Sequence, residues 1–370
     1  SGGVILRTTT GGSSWTDVND GTGYSLYGVS FTDANTGTVV GQGGLIRRTT
    51  DGGGTWANQT SPYVEYPNGF SSVSFVDARN GVAVGDAGIV WTTNGGTTWT
   101  LVRPPNGLNL DDVHMADSLT AFAVGNSGRI FRSTDRGGTW DSLISGTTSW
   151  LSGVWFTSPD VGVAVGGYVI LRTTNGGDSW ATVPDPIGFG SLYDVSFTDS
   201  QNGVAVGSSG RILRTTDGGL TWQRQESGTA SALYGVSFAA NAVYACGDNG
   251  VILRFLDPTD ETEPNNTATT ATPIEYGGTI RAAIDVSGDI DYFSFAAAAG
   301  DTAEIHAVNA QGSNIDGKIQ LFNADSTLIG ENDDFIPGRT TESRLVTVIP
   351  AGGTYYVRFT HYDDAGSFPD

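Results

Sequence analysis

Arg48-Thr49-Thr50-Asp51-Gly52-Gly53-Gly54-Thr55-Trp56 is the stretch that decides the fold, because it recurs with small changes through the first two thirds of the chain. Counted from Thr49, each copy has Ser or Thr first, Asp or Asn third, Gly fifth, Ser or Thr seventh and Trp eighth. The first copy alone departs, with Thr10 in the third place. The six copies end at Trp15, Trp56, Trp99, Trp140, Trp180 and Trp222, with spacings of 41, 43, 41, 40 and 42 residues. A period near 40 residues is typical of propellers and other repeat arrays.

The repeated stretch predicts a tight turn between two strands. A side chain such as that of Asp51 accepts hydrogen bonds from backbone N–H groups one or two residues further on. The fifth-place glycine permits a positive φ, and the Trp begins the next strand and supplies a large apolar wedge between neighbouring sheets. The third place holds Asp51, Asn94 and Thr10 in different copies. These residues cannot share an acid–base role, so we interpret the turn as structural.

Three further strand signals lie between successive turns. The first is typified by Leu26–Phe31, in which Val29 and Phe31 fall on one face by alternation, as a half-buried strand requires. The second is a short run such as Gly81–Gly85, and the third, such as Ile46–Arg48, leads into the turn. Four antiparallel strands in each period of about 40 residues predict the blade of a β-propeller.

The number of blades is harder to infer than the blade itself, because the repeat units at the two ends are incomplete. Five complete units run from Leu26 to about Gln225, the N-terminal segment supplies only third and fourth strands, and the last unit supplies first to third strands. We predict seven blades, with the missing strands upstream of Ser1 and both ends of the sequence cropped. A ring of six blades is the alternative.

With these motifs the repeats resemble the Asp-box, or bacterial neuraminidase-type, propellers of the photosystem II assembly and stability factor family, and more distantly sialidase and sortilin-type propellers. The resemblance covers residues 1–256 and implies the fold rather than an activity. Sialidases bind the substrate carboxylate with an arginine cluster. Here six arginines share one repeat position in the third strand, and we interpret them as a structural ring. They are Arg7, Arg48, Arg132, Arg172, Arg214 and Arg254.

Charge and composition narrow the class of protein. The formal net charge is −21, with 20 acidic and 13 basic residues in 1–256 and 19 acidic and five basic residues in 257–370. Such a chain repels polyanions, so nucleic-acid binding is not expected. No apolar run of 18 residues exists, and no membrane span is expected. Cys246 is the only cysteine and is interpreted as a small core residue.

The remainder of the chain has a different character. We predict a linker at 257–262 and a small domain at 263–370, truncated at its C-terminal strand. Its motifs are Glu261–Asn266, Gly288–Phe295, Gly330–Asp334 and Ala351–Val357. In this order they resemble the bacterial pre-peptidase C-terminal domain, a β-sandwich of secreted proteins related to clostridial collagen-binding domains. The alternation in Tyr292–Phe295 supports a strand independently.

This second resemblance implies a calcium site. The collagen-binding relatives hold calcium with a matching Glu-x-Glu-x-Asn segment and with aspartates before the aromatic strand, and calcium prefers six to eight hard oxygen ligands. The opposing interpretation is a solvated acidic linker and turn. The residues carried over from the resemblance are Glu261, Glu263, Asn265, Asp285, Asp289 and Asp291.

We therefore predict a non-catalytic protein that is secreted or displayed on a bacterial cell surface. Its propeller binds a protein or a glycan, its calcium-binding sandwich is an accessory or adhesion module, and a homo-oligomer or filament is one form of the assembly. The alternative is a carbohydrate-active enzyme, for which Asp111 and Asp112 offer paired carboxylates. Adjacent strand residues point to opposite faces, which disfavours that pair. A third hypothesis is an intracellular or periplasmic assembly factor.

Overall fold

The computed structural model describes residues 2–12, 14–18, 23–62, 69–86, 88–103, 109–186, 188, 190–225, 227–239, 242–256, 259–260, 267–269, 271–274, 280–281, 290–307, 317–332 and 343–361. The chain divides into two compact units, Ser1–Arg254 and Phe255–Asp370. In the described ranges every regular element is a β-strand, apart from short 3-10 helices at Gln42–Gly44, Asn126–Gly128, Ser208–Gly210 and Asp248–Gly250. These ranges confirm the all-β fold class. No helix within them has the length and apolarity needed to cross a membrane.

The described strands of the first unit form seven antiparallel sheets, numbered here 1 to 7 in chain order. Within each sheet, neighbouring strands are consecutive in sequence. The strands are Leu6–Arg7 and Thr16–Asp17 (sheet 1); Leu26–Phe31, Gly37–Gly41, Ile46–Thr49 and Ala57–Asn58 (sheet 2); Ser72–Phe75, Gly81–Gly85, Gly88–Thr92 and Thr100–Val102 (sheet 3); Leu110–Met115, Ala121–Gly125, Arg129–Ser133 and Asp141–Leu143 (sheet 4); Leu151–Phe156, Gly162–Gly166, Val169–Thr173 and Ala181–Val183 (sheet 5); Leu192–Phe197, Gly203–Gly207, Ile212–Thr215 and Gln223–Gln225 (sheet 6); and Leu233–Ala239, Ala242–Gly247 and Ile252–Leu256 (sheet 7).

The hydrophobic core lies between the sheets. From sheet 2 to sheet 7 the first strands of consecutive sheets contact one another, so they form the innermost layer. Each core cluster takes residues from two neighbouring sheets. In one of them Val40 of sheet 2 packs with Phe75 and Trp99 of sheet 3. The three further clusters of this unit are built in the same way from sheets 3 to 6. Sheets stacked face to face in chain order are the blades of a propeller, as the sequence predicts.

In sheets 2, 3, 5 and 6 a phenylalanine pairs with a glycine beside the turn between the first and second strands. Phe31 pairs with Gly37 across the strands, and a Cβ built on Gly37 would lie 2.6 Å from the Phe31 ring. The ring therefore covers the bare glycine backbone. In sheet 4 the smaller Met115 pairs with Ala121 instead. The second-strand Gly-Val-Ala-Val-Gly pattern thus follows from packing against an aromatic neighbour.

The repeated turn is held together by its own side chains. Thr49 Oγ1 accepts hydrogen bonds from the N–H groups of Asp51 and Gly53 at 3.3 and 2.8 Å. The Asp51 carboxylate accepts the Thr55 N–H at 2.8 Å and the Thr55 hydroxyl at 2.7 Å. The predicted acceptor role is confirmed, but the N–H lies four residues on rather than one or two. These bonds, that of the Thr55 N–H first, lower the Asp51 pKa to about 2.

The glycine and the tryptophan of the turn behave largely as predicted. Gly53 has φ of +85°, a conformation that costs a residue with a Cβ. Trp99 lies just before the fourth strand rather than within it, and its indole is buried between sheets 2 and 3. The ring meets Phe75 edge to face, with centroids 5.8 Å apart. The tryptophan is therefore the predicted apolar wedge.

Third-strand arginines fasten consecutive sheets. Arg48 Nη2 donates to the carbonyl of Ala78 in sheet 3 at 2.7 Å. Arg132 Nη1 donates to the carbonyl of Gly176 in the turn of sheet 5 at 2.8 Å, and Arg172 Nε repeats the contact one sheet further on. These arginines engage backbone rather than converge on a pocket, which supports their interpretation as structural.

Two sequence-based burial predictions are wrong where sheets 2 and 7 face sheet 1. Val29 and Phe31 are 62% and 46% exposed, whereas Val73 and Phe75 at the same positions of sheet 3 are 6% and 9% exposed. Cys246 is also exposed and is not a core residue. The described part of sheet 1 consists of third and fourth strands, so no first or second strand of that sheet covers these side chains.

The described strands of the second unit form a five-stranded sheet, a two-stranded sheet and one short parallel pair. In spatial order the five strands are Thr272–Pro273, Ile290–Ala297, Gly353–His361, Gly317–Asn323 and Leu328–Asn332. Thr302–Ala307 pairs with Ser343–Val348, and Thr259–Asp260 pairs with Ile280–Arg281. One core cluster unites Phe293 and Leu321 of the larger sheet with Leu345 of the smaller sheet. A shared core is what a β-sandwich needs, and the sandwich itself stays a prediction.

Candidate functional site

A bulge at the start of the first strand sets the geometry of the innermost layer. It interrupts strand pairing in sheets 2, 4, 5, 6 and 7. A bulge leaves one residue unpaired and breaks the alternation of side chains. The residue after the bulge is Gly28, Gly153 or Gly235 in three of these sheets, and Asp112 or Asp194 in the other two. Two carboxylates thus occupy positions where other sheets have no side chain.

The Asp112 carboxylate joins three consecutive sheets. Ser72 of sheet 3 donates its hydroxyl to Oδ1 at 2.6 Å, and the Val154 N–H of sheet 5 donates to Oδ2 at 2.8 Å. Burial nevertheless raises the pKa of Asp112 to about 6. The hydrogen bonds therefore offset only part of the cost of keeping the charge away from water.

Asp194 repeats this arrangement two sheets further on. Its Oδ2 accepts the Val236 N–H of sheet 7 at 2.8 Å, and its Oδ1 accepts the Val195 N–H at 2.8 Å. Burial and then the negative charge of Asp112 raise the pKa of Asp194 to about 7. Because the intervening position of sheet 5 is Gly153, no side chain there separates the two carboxylates.

Asp111 is the bulge residue of sheet 4 and is tied to an aromatic side chain. The indole N–H of Trp150, just before the first strand of sheet 5, donates to Asp111 Oδ2. Burial first, and then the charges of Asp112 and Asp86, raise the pKa of Asp111 to about 7. The expectation that Asp111 and Asp112 point apart rests on regular alternation, which the bulge removes. The two carboxylates interact.

His114 is an inner-layer residue whose ring contacts the next sheet. Its Nδ1 accepts the Phe156 N–H of sheet 5 at 3.3 Å, and its ring lies on Trp155 with centroids 4.2 Å apart. Burial lowers the His114 pKa to about 4. Ser30 and Ser74 serve the same purpose in sheets 2 and 3, since each hydroxyl oxygen accepts an N–H of the next sheet.

Two further aromatic side chains lie at the same end of the first strands, in sheets 6 and 7. The Tyr193 and Tyr234 rings lie 5.2 Å apart at an angle of 31°, and the Tyr234 hydroxyl donates to Asp248 Oδ2 at 3.2 Å. Trp150 is 55% exposed and Tyr234 is 53% exposed. We call this cluster the rim and define it as Asp111, Trp150, Tyr193, Tyr234 and Asp248.

The rim and the repeated turns lie at opposite ends of the sheets. The rim residues stand at the start of first strands or at the end of a second strand, and Leu233 pairs with Gly247 there. In an antiparallel sheet the third strand runs away from this end, so the turn that follows it, such as the one at Asp217, is at the other end. The rim is therefore separate from the repeated scaffold.

The predicted calcium ligands are only partly within the described residues. Asp291 lies in the strand Ile290–Ala297, opposite Phe359, and it is fully buried at 0% exposure. The other five predicted ligands lie outside the described residues; they are Glu261, Glu263, Asn265, Asp285 and Asp289. In the part of the chain that the structure describes, no group of three or more His, Cys, Asp or Glu residues could hold a metal ion.

Sequence reasoning passed over four residues of this region, namely Tyr193, Asp194, Tyr234 and Asp248. A signal was present in the repeats. Asp194 stands at the position that is Gly28 in sheet 2, and Tyr234 repeats Tyr193 one period later. A charged residue at a position held elsewhere by glycine indicates a local role, and aligning the repeats by their inner strands exposes it.

The first comparison with known proteins concerns sequence families. The family profile described as photosynthesis system II assembly factor YCF48 matches residues 7–154 and 178–263, more than half of the chain. The photosystem II stability/assembly factor HCF136 of Oryza sativa is 42% identical over 72 residues, which is 19% of this chain and 17% of that protein. A probable subtilase-type serine protease of Deinococcus radiodurans is 36% identical over 106 residues, 28% of this chain and 14% of that protein. The matched segments span less than a quarter of either relative.

The second comparison concerns solved structures. The WD40 β-propeller domain of Doa1 superposes with a TM-score of 0.51 at 12% identity and covers 63% of this chain and 79% of that one. This likeness shows the propeller fold alone. A structure of YCF48 bound to D1 peptide has a TM-score of 0.44 and 22% identity, and it covers 63% of this chain and 92% of that one.

Proposed function

The chain belongs to the photosynthesis system II assembly factor YCF48 family, and from this premise we propose that it is a non-catalytic propeller that binds a protein partner. The observation that carries the proposal is the rim, where Trp150 and Tyr234 are half exposed and held by hydrogen bonds. Exposed aromatic residues are enriched at protein interfaces. In one of the similar structures named above, YCF48 is bound to the D1 peptide.

The environment of the inner carboxylates disfavours the glycosidase alternative. Both oxygens of Asp112 accept hydrogen bonds from neighbouring sheets, and both oxygens of Asp194 accept backbone N–H groups. A glycosidase needs one carboxyl as a proton donor and a second one free to attack or to activate water. Asp112 and Asp194 instead serve as acceptors that join sheets. We therefore assign no catalytic role to Asp112 or Asp194.

We further propose that the propeller has seven blades rather than six. Sheets 1 and 7 are separate sheets. Gly12 of sheet 1 lies beside Tyr244 of sheet 7, just as Gly137 lies beside Val82 of the sheet before it. The exposed faces described above, at Val29 on one side and Cys246 on the other, leave room for a first and a second strand of sheet 1. Two strands of the repeat pattern would bury these side chains as they are buried in sheet 3.

For the second unit we propose a calcium-binding β-sandwich of a secreted or cell-surface protein, as the sequence resemblance implies. The support is the chemistry of Asp291, a carboxylate with no exposed surface. A buried carboxylate is favoured where a cation compensates its charge, and oxygen is the ligand that calcium prefers. The acidic balance of 257–370 is in keeping with such a site.

Calcium binding gives a direct test of this proposal. We expect calcium to raise the unfolding temperature of the second unit in the intact chain and EDTA to lower it, because an ion that binds only the folded state stabilises it. Asp291→Asn, which removes one ligand charge, is expected to weaken calcium binding at least tenfold by calorimetry. Asp325→Asn, a change at an exposed residue, is the control. No heat of binding, together with melting that is indifferent to EDTA, contradicts the site.

The main proposal is tested by capture from native material. The purified chain is immobilised and exposed to a cell-envelope extract of the source organism, and bound proteins are identified after a salt wash. We expect a protein that binds with saturable affinity, and no hydrolysis of sialosides or other glycosides by the purified chain. Glycoside turnover that is lost in Asp111→Asn, or an extract that yields no saturable partner, overturns the proposal.

A further inference from the structure

We propose that the rim receives a basic segment of a protein partner and that arginine or lysine side chains lie against Trp150 and the tyrosine pair. This inference rests on the proposed function and names the chemistry of its partner. Three properties of the rim lead to it: exposed aromatic faces, fixed ring orientations, and negative charge without a matching cation.

The aromatic rings are oriented before any partner arrives. The indole N–H of Trp150 is held by Asp111, and the hydroxyl of Tyr234 is held by Asp248. Each ring is thus fixed at its polar edge, whereas about half of its side-chain surface remains exposed. Prior orientation lowers the entropy cost of binding. Ring faces held in this way suit the guanidinium or ammonium group of a partner, which the ring quadrupole attracts.

Four carboxylates lie at or beside the rim, whereas Arg211, just before the third strand of sheet 6, is held by Asp185 and by the carbonyl of Gly190. Asp111 and Asp248 belong to the rim, and Asp112 and Asp194 lie in the inner layer beside it. No salt bridge within the described residues joins Lys or Arg to any of these four carboxylates. A negatively charged surface attracts a positively charged partner and disfavours the binding of negatively charged ones.

The raised pKa values of the inner carboxylates agree with this assignment. Burial first, and the charge of Asp112 in addition, raise the pKa of both Asp111 and Asp194, so the negative charge of Asp112 makes their ionisation harder. A cation bound at the rim would relieve this repulsion. A neutral sugar could stack on the same rings but would leave the repulsion in place. Charge complementarity therefore selects a basic peptide over a neutral glycan.

The experiment uses calorimetry with defined probes. The whole chain is titrated with a twelve-residue peptide of alternating Arg and Ser, with the same peptide carrying Glu for Arg, and with a neutral hexasaccharide. We expect the Arg peptide alone to bind, and to bind at least tenfold more weakly in 200 mM than in 20 mM salt because the attraction is screened. Equal binding of the Glu peptide, or tighter binding of the hexasaccharide, overturns the proposal.

Variants place the binding on the rim. We expect the affinity for the Arg peptide to fall at least tenfold in each of two double variants, which are Trp150→Ala/Tyr234→Ala and Asp111→Asn/Asp248→Asn. Leu220→Ala/Asp178→Asn changes exposed residues at the opposite end of the sheets and is expected to bind as the parent chain does. Circular dichroism confirms that each variant is folded. Rim variants that bind normally while folded overturn the inference, whereas a native partner captured without any Arg-peptide binding overturns it and leaves the proposed function standing.

Discussion

Gly166→Ala is expected to destabilise the propeller by about 3 kcal/mol, while Gly167→Ala, one residue on, stays within about 0.5 kcal/mol of the parent chain. Gly166 ends the second strand of sheet 5. A Cβ there would lie 1.9 Å from the carbonyl oxygen of Trp150, whereas a Cβ on Gly167 would lie 3.9 Å from that oxygen. Backbone sits in the way at Gly166, so the strand itself must move.

The close approach recurs in all six sheets whose second strand is described, including sheet 3, in which the first strand pairs without a bulge. Each of these second strands ends in glycine, and a Cβ on that glycine would lie 1.9–2.4 Å from a backbone carbonyl oxygen shortly before the first strand. These glycines are Gly41, Gly85, Gly125, Gly166, Gly207 and Gly247. Gly207 has φ of −170°, an extended conformation open to any residue, so space rather than backbone strain selects glycine there.

Equilibrium unfolding in urea, followed by tryptophan fluorescence, measures both variants at once. We expect the urea concentration at the unfolding midpoint to fall clearly for Gly166→Ala and to change little for Gly167→Ala. Two variants of equal stability would mean that the first and second strands are not so closely apposed, and the arrangement of the innermost layer described above would be wrong.

Asp194→Asn is expected to make the protein more stable at pH 8, by on the order of 2 kcal/mol, and to leave its stability nearly unchanged at pH 4. Burial and Asp112 raise the folded-state pKa of Asp194 to about 7 from the usual 3.8. A raised carboxyl pKa contributes stability that is present below pH 3.8 and lost as the pH rises through 7. Asparagine carries no such charge and its amide oxygen still accepts the Val236 N–H, but its NH2 group cannot accept the Val195 N–H, so the expected gain is smaller than the pKa shift alone implies.

Urea titrations of both chains at half-unit steps from pH 4 to pH 8 test this prediction. The difference between the chains is expected to grow with pH and to level off above 7. His114 contributes in the opposite sense, since its lowered pKa costs stability as the pH falls from 6.5 to 4, but it is common to both chains. Asp33→Asn, at an exposed carboxyl whose pKa is lowered, is expected to give no gain at any pH. A destabilised Asp194→Asn at pH 8 would contradict the prediction.

Much of the fold could be predicted from the sequence because the six copies of the repeat can be compared with one another. Six copies of the turn fixed the positions of the strands, and the exchange of Asp51 for Asn94 and Thr10 indicated a structural role. The hydrogen bonds confirm that role, since Asn94 Oδ1 accepts the Thr98 N–H at 3.0 Å just as Asp51 accepts that of Thr55. A local sequence motif that recurs in register therefore predicts the same local structure in each copy.

The innermost layer was less accessible, because it depends on contacts between sheets. A bulge has no sequence signature as strong as that of the turn, and regular alternation does not apply to Asp111 and Asp112 because the bulge interrupts the strand between Leu110 and Asp112. The burial of Val29 and Cys246 was also misjudged, since it depends on whether another strand lies opposite. Periodicity reports the face of a strand but not what covers that face.

We conclude that the repeated turns have a structural role and that their carboxylates bind no metal. The sharpest test is thermal unfolding of the triple variant Asp51→Asn/Asp135→Asn/Asp217→Asn, with calcium and with EDTA. Because Asn94 and Asn175 already make the same hydrogen bonds, the account predicts an unfolding temperature within about 3 °C of the parent chain for the first unit, with no effect of calcium or EDTA on that transition. The opposite result has two parts: the variant unfolds more than about 10 °C below the parent chain, and EDTA lowers the unfolding temperature of the parent chain, but not of the variant, in a way that calcium reverses. That result would mean that the three carboxylates are metal ligands and that the turns are not purely structural.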